Sequence, residues 1–473
     1  MSRLPRLYES AERTYGDYKG GRKAEPEEDV WLSAFCYVLA PVMLRYVLWV
    51  LANAMGNGKR RLYFLSRDGY MMYRAAEYFC GKWKLPLECR YLYCSRYALR
   101  SGEYSLLGEE CLDYVCLGGM HVTLRRLLQR GGLEGGEILR AADAMGLAKR
   151  LDQSLDYEQV KAMKPLLREN AYFMGRMEVH AKKAYSRVTG YLRQEGLTQE
   201  VPYAVVDSGW TGSIQRSLQR LLGSMGCKVQ VEGYYFGLYE YVEGIDRRRY
   251  HTWYFAPENG NVRKVFFSNN LFECVFSSPE GMAKGYRKDG ERYVPVFAMG
   301  ENPNRRYVEK GTGILLQCAK HYAGDAKTYG RRQSRSGRKL RSEKGFRFGR
   351  HVEAELLFSL MGMPSAEEAA VFGSYVFDDD VTGEETRALA RALTEKELRE
   401  GNVLRRLVLY AAGCGRPPLR SAWQEAGVVL AGAGSRFLWQ TAFYKFLLYT
   451  GKSLVSRHGR AYVEKERQDG AGG

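Results

Sequence analysis

The sequence lacks the residue spacings that are typical of metal sites. It contains ten cysteines and six histidines among 473 residues, but no C-x-x-C pair and no H-E-x-x-H motif. Cys89/Cys94 and Cys111/Cys116 are each five positions apart, which is not a usual zinc spacing. We therefore expect free, mostly buried thiols in a reducing compartment, and no metal ion held by protein ligands alone.

The sequence also lacks an uninterrupted apolar run of membrane-spanning length, and we expect no signal peptide. The first 16 residues, MSRLPRLYESAERTYG, are polar. The longest apolar run, Trp31 to Met55, carries Pro41 and Arg45 near its middle, and a central charge is costly in lipid. We predict two buried helical segments here, with a transmembrane span as the alternative. The expected location is the cytoplasm, with the inner face of the membrane as a further option.

The composition is that of a folded protein with a basic excess. Apolar residues make up 45% and charged residues 27%, and the length predicts two or three structural units. The net charge of +18 favours phosphates, nucleic acid or an anionic membrane as partners. Much of it lies in the basic segment 331–350, which is interpreted either as a solvated linker or as an anion-binding flap or membrane contact. Charge alone therefore does not identify the partner.

Alternating strand-like and helix-like runs predict a parallel sheet. RLYFLS and ECRYLYCSR flank an amphipathic helical stretch, which is the strand–helix–strand unit of such a sheet. YAVVDSGWTGSIQ predicts a buried strand, a loop and a helix; KVQVEGYYFGLYE predicts a further strand, and RYVPVF an edge strand. Residues 31–100 plus 200–300 are thus the predicted α/β core, of a Rossmann-like class.

The remaining segments have other characters. Residues 1–30 are predicted to be a polar, loosely held tail, 101–199 a helical insertion without strands, and 301–352 a basic linker. Residues 353–473 are predicted to be mostly helical. Within them, FLWQTAFYKFLLYTGKSLVSRHGR has an aromatic face and basic ends; we favour a core helix over a helix lying on a membrane.

The first candidate binding loop follows the apolar run Tyr203 to Val206. Asp207 stands at the predicted strand end, glycines permit a sharp turn and a close approach to a ligand, and hydroxyls begin the next helix. A helix N-terminus presents unpaired N–H groups and partial positive charge, which suits phosphate. An ordinary strand-to-helix turn with a helix cap is the alternative. The residues assigned to binding are Ser208, Gly209, Trp210, Thr211, Gly212, Ser213 and Gln215.

A second candidate loop, Ser66-Arg67-Asp68-Gly69, also follows an apolar strand and opens a helix. Arginine supplies a fork of donors for phosphate, and Gly69 lets backbone N–H groups face an anion. The alternative is an ordinary ion pair between Arg67 and Asp68. Because parallel strands bring their carboxyl-end loops to one edge, both loops and Ser95-Arg96 are expected to meet there.

The motifs FLSRDGY, YLYCSR and VVDSGWTGSIQ resemble the C-terminal half of a family of bacterial surface-polysaccharide proteins. Those proteins usually carry a HAD-type phosphatase domain in front, which we expect to be absent here. The resemblance covers roughly residues 31–300 and, more loosely, SAWQEAGV in the tail.

The arrangement also resembles a type I phosphoribosyltransferase. Thr211-Gly212 matches the end of the loop that grips phosphoribosyl pyrophosphate, and Asp207 matches its second acidic position. Val206 stands where the first acidic residue would be, which is a departure from that pattern. The loop from Ser66 to Gly69 matches the pyrophosphate loop.

These resemblances imply a glycan-directed transferase that moves a phosphoribosyl unit to a hydroxyl of a glycan or lipid-linked glycan. A separate phosphatase would then remove the 5-phosphate, and no nucleic acid is expected as a partner. Mg²⁺, carried mainly by the donor pyrophosphate, and Arg67 would neutralise the leaving group. Asp207 would orient the ribose, and Asp68 would be the base near the acceptor, with Glu273 as second choice.

Two other functions remain open from the sequence. The first is a HAD-type phosphohydrolase with Asp207 as nucleophile, although Gly209 stands where its motif has a second aspartate. The acidic run Asp378-Asp379-Asp380 is predicted to be a solvated turn or helix cap and not a metal site. The second is a non-catalytic partner of polysaccharide-assembly enzymes, which the helical tail, the basic segment and Val206 all permit.

Overall fold

The computed structural model describes residues 4–20, 25–118, 122–298, 301–325, 352–378, 386–400 and 421–469. Its strands, in chain order, are β1 (Arg61–Leu65), β2 (Glu88–Leu92), β3 (Val122–Thr123), β4 (Ser154–Leu155), β5 (Tyr203–Trp210), β6 (Gly233–Leu238), β7 (Tyr250–Phe255), β8 (Ala283–Asp289), β9 (Arg292–Phe297), β10 (Val376–Asp378) and β11 (Thr386–Ala388).

The α-helices are α1 (Leu4–Lys19), α2 (Pro26–Ala34), α3 (Ala40–Gly56), α4 (Gly69–Trp83), α5 (Arg96–Leu107), α6 (Leu112–Val115), α7 (Leu124–Arg130), α8 (Gly136–Ala144), α9 (Tyr157–Glu169), α10 (Ala171–Gln194), α11 (Ser213–Ser224), α12 (Asn261–Val265), α13 (Asn269–Val275), α14 (Arg305–Asp325), α15 (Val352–Leu357), α16 (Ala366–Gly373), α17 (Glu395–Glu400), α18 (Gln424–Leu430) and α19 (Ser435–Asp469). Short 3₁₀ helices lie at Gly108–Cys111, Ala148–Arg150 and Arg247–Arg249, and π-helical turns at Phe35–Leu39 and Phe358–Gly362.

Five parallel strands form the central sheet, in the order β2-β1-β5-β6-β7. In β1, Leu62 and Phe64 belong to the core on one face, while Tyr63 and Leu65 belong to the core on the other. Since both faces are covered, β1 and β5 each contain a continuous apolar run, Leu62–Leu65 and Tyr203–Val206. The expected α/β class with a parallel sheet is confirmed.

The helices that follow β1 and β5 lie on opposite faces of the sheet. Helix α4 joins β1 to β2 and packs with α3 and α14 in one core, whereas α11 joins β5 to β6 and packs with α5 in the other. Strands β1 and β5 are neighbours, so the chain leaves the sheet in opposite directions from two adjacent strand ends. This is a topological switch point, where open α/β sheets form their binding crevice.

The prediction of a loose polar tail at residues 1–30 is wrong for the described part. Helix α1 packs against α14, burying Leu7 and Ala11 together with Ser10 and Thr14. The two hydroxyls bond to backbone carbonyls four residues earlier, at 2.7 Å each, so a polar stripe can be buried without a lost hydrogen bond.

The predicted linker at 301–352 is also wrong where it is described. Residues Arg305–Asp325 form α14, and Ile314 and Leu315 are fully buried against the sheet's first core. The basic segment 331–350 lies outside the described residues.

The apolar segment forms the two predicted buried helices, α2 and α3, joined through the π-helical turn. Together, Pro26–Gly56 is long and apolar enough to cross a membrane by length and composition, but 78% of its most apolar window is buried within the protein. Arg45 is paired with Glu353 of α15 inside this packing. The buried pair explains how a charge is tolerated in the middle of the run.

The predicted helical insertion has a core of its own, which includes Leu112, Leu127 and Phe173. The expectation that it lacks strands is wrong, because β3 and β4 form a short antiparallel pair within it. Its boundary also differs: the C-terminal half of α10 packs on the sheet through Val188 and Leu192.

Strand predictions at the far side of the sheet need three corrections. Strand β6 begins at Gly233, five residues later than the start of the predicted run. Strand β7 was not predicted, although it forms the sheet edge. RYVPVF (β9) pairs with β8 in a separate two-stranded ribbon, so the edge-strand prediction is wrong. Pro295 is accommodated there because a ribbon strand has a side on which no ladder hydrogen bond is required.

The described parts of the C-terminal region are mostly helical, but β10 and β11 form a small antiparallel pair within it. Asp378 ends β10, while Asp379 and Asp380 lie outside the described residues. The prediction of a core helix is wrong for one face of α19. Trp439, Phe443 and Leu454 are each at least half exposed.

Candidate functional site at the switch point

The two predicted loops meet at the switch point. The Ser208 hydroxyl, near the end of β5, donates a hydrogen bond to the Asp68 carboxylate at the start of α4. Strand β5 continues to Trp210, so the prediction that Asp207 stands at the strand end is wrong. The actual strand-to-helix connection consists of Thr211 and Gly212 alone. Asp207 therefore sits within the strand, where it pairs with Tyr235 of β6.

Two buried carboxylates at this edge, Asp68 and Asp207, lie close enough to Glu273 to be affected by its charge. Burial raises the pKa of Asp207 to about 6, opposed by the Ser208 N–H and the Arg96 charge and reinforced by the Glu273 charge. Burial, followed by the charges of Glu273 and Asp207, raises the pKa of Asp68 well above its usual range. The Trp210 indole N–H donates to Glu273 at 2.5 Å and fixes that carboxylate over the cluster.

Several predicted binding residues use their polar atoms to hold the protein together. The Ser66 hydroxyl donates to the Cys94 carbonyl at 2.7 Å and accepts from the Cys94 N–H at 2.9 Å, joining the ends of β1 and β2. Ser95 caps α5 by accepting from the Ala98 N–H and donates to the Ala283 carbonyl at 2.6 Å. These residues position the loops of the site.

Gln215 has the same kind of structural role in α11. Its amide donates to the Val231 carbonyl at 2.8 Å and accepts from the Tyr235 hydroxyl at 2.6 Å, and the side chain is buried. Both ends of the amide are therefore occupied within the protein. Gln215 ties α11 to the sheet and does not present a group to a ligand.

Arg67, Arg96 and Thr211 are uncommitted. None of these side chains makes a hydrogen bond or ion pair with another described residue, so the alternative of an Arg67–Asp68 ion pair is not realised. The positive charge of Arg67 nevertheless lowers the pKa of Asp68, and that of Arg96 lowers the pKa of Asp207. The two guanidinium groups therefore lie near buried carboxylates with donors to spare.

Gly209 near the end of β5 and Gly212 in the connection to α11 are required by protein packing. Gly209 has a φ of 110°, and a Cβ there would lie 2.6 Å from the Gly237 carbonyl oxygen. Gly212 has a φ of 64°, and a Cβ there would lie 2.6 Å from the Tyr250 ring. The expectation that these glycines let a ligand approach closely is therefore wrong, since protein atoms fill the space beside them. Trp210 between them also has a positive φ, of 57°.

The first turns of the two following helices complete the edge. Gly69 begins α4, and a Cβ on it would lie 3.0 Å from the Phe64 backbone, so it too is closely packed. Ser213 begins α11 and is buried. Gly212 precedes it as the cap residue and offers no side chain to the first N–H groups of α11. Those N–H groups keep the capacity to bind an anion.

Two supporting interactions were not found from the sequence. The buried Tyr46 hydroxyl of α3 donates to the Asp207 carbonyl at 3.0 Å and to the Tyr234 carbonyl at 2.8 Å. The buried Glu103 of α5 accepts from Ser217 at 2.7 Å and pairs with Arg220, both on α11. These partners are more than a hundred positions apart, so no local sequence signal reveals the pairing.

Within the described residues, no group of three or more His, Cys, Asp and Glu side chains is arranged to hold a metal ion. The Mg²⁺ that the resemblance implies would arrive with the donor, held mainly by its phosphates. Such an ion is part of the substrate and requires few protein ligands.

No protein-family model matches the chain, and no curated protein matches it at a significant level. The residues at the switch point are therefore the basis of the functional argument.

Proposed function

We propose that this chain transfers a phosphoribosyl unit from phosphoribosyl pyrophosphate to a hydroxyl of a glycan or lipid-linked glycan during surface-polysaccharide synthesis. The proposal places the reaction in the cytoplasm, at the inner face of the membrane. One observation carries it: Arg67 and Thr211 are both uncommitted and belong to loops joined by the Asp68–Ser208 hydrogen bond. Uncommitted donors beside buried carboxylates suit a ligand that has both phosphates and hydroxyls.

The donor would be bound by groups from both loops. Arg67 and Arg96 offer guanidinium donors for the pyrophosphate, and Arg–phosphate contacts are often bidentate. The Thr211 hydroxyl and the uncapped N–H groups of α11 would receive the 5-phosphate. Asp207 would accept hydrogen bonds from the ribose hydroxyls. Arriving Mg²⁺ would add positive charge at the leaving pyrophosphate.

The carboxylate cluster supplies the base. A general base works best when its pKa is near the working pH, and burial moves both Asp68 and Asp207 in that direction. Asp68 would accept the proton of the acceptor hydroxyl as the new bond to ribose forms and pyrophosphate departs. Glu273, held by Trp210, lies in the same cluster and is the second choice.

A HAD-type phosphohydrolase is less well supported by the geometry. Its motif requires a second carboxylate two residues after the nucleophile, which is position 209 here. A side chain at this position would meet the Gly237 carbonyl at 2.6 Å. The general acid/base of that mechanism would therefore have no room.

The experiment is a calorimetric titration of the purified chain with phosphoribosyl pyrophosphate and Mg²⁺. We expect Mg²⁺-dependent binding that is weakened about tenfold or more in Arg67→Ala and Thr211→Val, because a hydrogen bond to a charged group contributes about 1.5–3 kcal/mol. Arg150→Ala, at an exposed site in the insertion, is the matched control. Unchanged affinity in both site variants contradicts the proposal. Release of phosphate from 4-nitrophenyl phosphate by the wild-type chain would instead support the phosphohydrolase. If the chain neither binds the donor nor releases phosphate, the non-catalytic partner is supported.

A further inference from the structure

A second group of polar side chains lies beside the first turn of α4. It is separate from the residues proposed to bind the donor. Tyr70 follows Arg67 by three positions, and its N–H donates to the Arg67 carbonyl at 3.1 Å. Its ring contacts the ring of Tyr91 on β2, with 5.6 Å between centroids, and Tyr91 contacts Tyr93 at 5.0 Å. A group of tyrosines therefore extends from the Arg67 loop across the end of β2.

The loop after α13 brings Glu280 to these tyrosines. Burial, and then the Glu280 charge, raises the pKa of Tyr93, which indicates that the carboxylate lies close to the ring. The backbone of this loop is fixed from behind by Asn302, whose amide donates to the Ser277 hydroxyl at 3.0 Å and to the Ser278 carbonyl at 2.8 Å. Glu280 is thus presented by a well-held segment.

Two polar atoms in this group are shielded from solvent without a satisfactory partner among the described residues: the Tyr91 hydroxyl and Oε2 of Glu280. The Ser278 hydroxyl lies close to the Tyr91 hydroxyl and donates to the Glu280 carbonyl at 3.0 Å, so Ser278 links Tyr91 to the Glu280 loop. A buried polar atom left unsatisfied costs about 1–3 kcal/mol, so folded proteins rarely keep one without a water, ion or ligand to bind it.

We propose that Tyr91 and Glu280 form a subsite for a hydroxyl of a sugar or polyol, and that it holds the acceptor next to the Arg67 loop. A hydroxyl group can donate to the Glu280 carboxylate and accept from the Tyr91 phenol at the same time, which satisfies both atoms. The neighbouring Tyr70 and Tyr93 rings supply the apolar surface that small-molecule sites place around a few polar groups. An anion is a poor occupant, because Glu280 would repel it.

This inference rests on the proposed function for its meaning as an acceptor site, but its test does not require the donor. Ribitol would be added to the full chain without phosphoribosyl pyrophosphate, and saturation transfer from protein to ribitol would be measured by NMR. We expect a signal in the wild-type chain that falls about tenfold or more in Glu280→Gln, which loses a hydrogen bond to a charged group, and by a smaller factor of about two- to tenfold in Tyr91→Phe, which loses a hydrogen bond between neutral groups.

The matched controls are Glu158→Gln and Tyr157→Phe, at exposed positions of α9, which should keep the ribitol signal. Circular dichroism checks that each variant is folded, and calorimetry with phosphoribosyl pyrophosphate checks that donor binding is unchanged in the Glu280 and Tyr91 variants. Absence of any ribitol signal in the wild-type chain, or an equal signal in the folded variants, overturns the subsite. Failure of donor binding with ribitol binding retained overturns the transferase proposal and leaves the polyol site standing.

Discussion

The loops after β1 and β5 reach the same edge of the sheet, but different forces hold them. The β1 loop is fixed by hydrogen bonds, chiefly the two that join Ser66 to Cys94. The β5 loop is fixed by steric contact around Gly209 and Gly212, with positive φ angles that favour glycine. Each loop nevertheless leaves one polar side chain, Arg67 or Thr211, without a hydrogen bond or ion pair to the residues that the structure describes. The comparison teaches that residues with the strongest local sequence signal can be the scaffold, while the uncommitted residue beside them is the one available to a ligand.

The largest expected effect is on stability, from a substitution in the β5 segment that is held by steric contact. Gly209→Ala places a Cβ 2.6 Å from the Gly237 carbonyl oxygen at a φ of 110°. We expect the free energy of unfolding, measured in urea, to fall by about 3 kcal/mol or more, since backbone strain and a core clash combine. Gly81→Ala in α4, where nothing lies within 4 Å, is the control and should be stabilising by about 0.5–1 kcal/mol. Equal effects at both positions would contradict the packing role of Gly209.

The next effect concerns the pH dependence of stability through Asp207. Burial raises its pKa from 3.8 to about 6, so the folded state holds this proton more tightly than the unfolded state. The contribution to stability is complete below pH 3.8 and is lost as the pH rises through about 6. Relative to Asp207→Asn, the wild-type free energy of unfolding should fall by roughly 2–3 kcal/mol between pH 4 and pH 7. Urea titrations at several pH values measure this, with the exposed Asp143→Asn as control; parallel pH profiles for wild type and Asp207→Asn would contradict it.

A smaller effect is expected in the loop held by hydrogen bonds. Ser66→Ala removes one hydroxyl and leaves the Cys94 N–H and carbonyl without that partner. We expect a loss of about 1–2 kcal/mol in the free energy of unfolding. Ser186→Ala, on the exposed side of α10, is the matched control and should change stability by less than about 0.5 kcal/mol. If Ser66→Ala changed stability as little as Ser186→Ala, the hydrogen bonds between Ser66 and Cys94 would not be what holds the loop.

The smallest effect on stability is expected at Arg67. Because its guanidinium has no hydrogen bond or ion pair with the described residues, Arg67→Ala should change the free energy of unfolding by about 0.5 kcal/mol or less. The same variant should lose donor affinity, as proposed above. A large loss of stability would show that Arg67 belongs to the scaffold and would remove the distinction between the two kinds of residue.

The central sheet and the meeting of its loops follow from the sequence because their causes are local. Strand β1 carries the apolar run Leu62–Leu65 and β5 the run Tyr203–Val206, each followed closely by glycine, and the carboxyl ends of parallel strands lie at the same edge of the sheet. The finer assignment of roles does not follow. Ser66, Ser95 and Gln215 look like ligand-binding residues in sequence, but their hydrogen bonds go to backbone groups of other elements. Only the folded chain brings those groups within reach.

Other elements were missed for physical reasons that can be named. Helix α1 has few apolar residues, and part of its buried stripe is Ser10 and Thr14, whose hydroxyls bond to their own helix. Strand β7 lies at the sheet edge and is partly exposed, so its apolar pattern is interrupted. Helix α14 lies just before the segment rich in arginine and lysine, and composition averaged over that region hides it.

Glu103 determines more than the local packing of two helices. It ties α5 to α11 through Ser217 and Arg220, and these helices begin at Arg96 and just after Thr211 respectively. The distance between Arg96 and Thr211 therefore depends on the contacts of Glu103 with α11. A substitution of Glu103 would change that distance without touching Arg96 or Thr211.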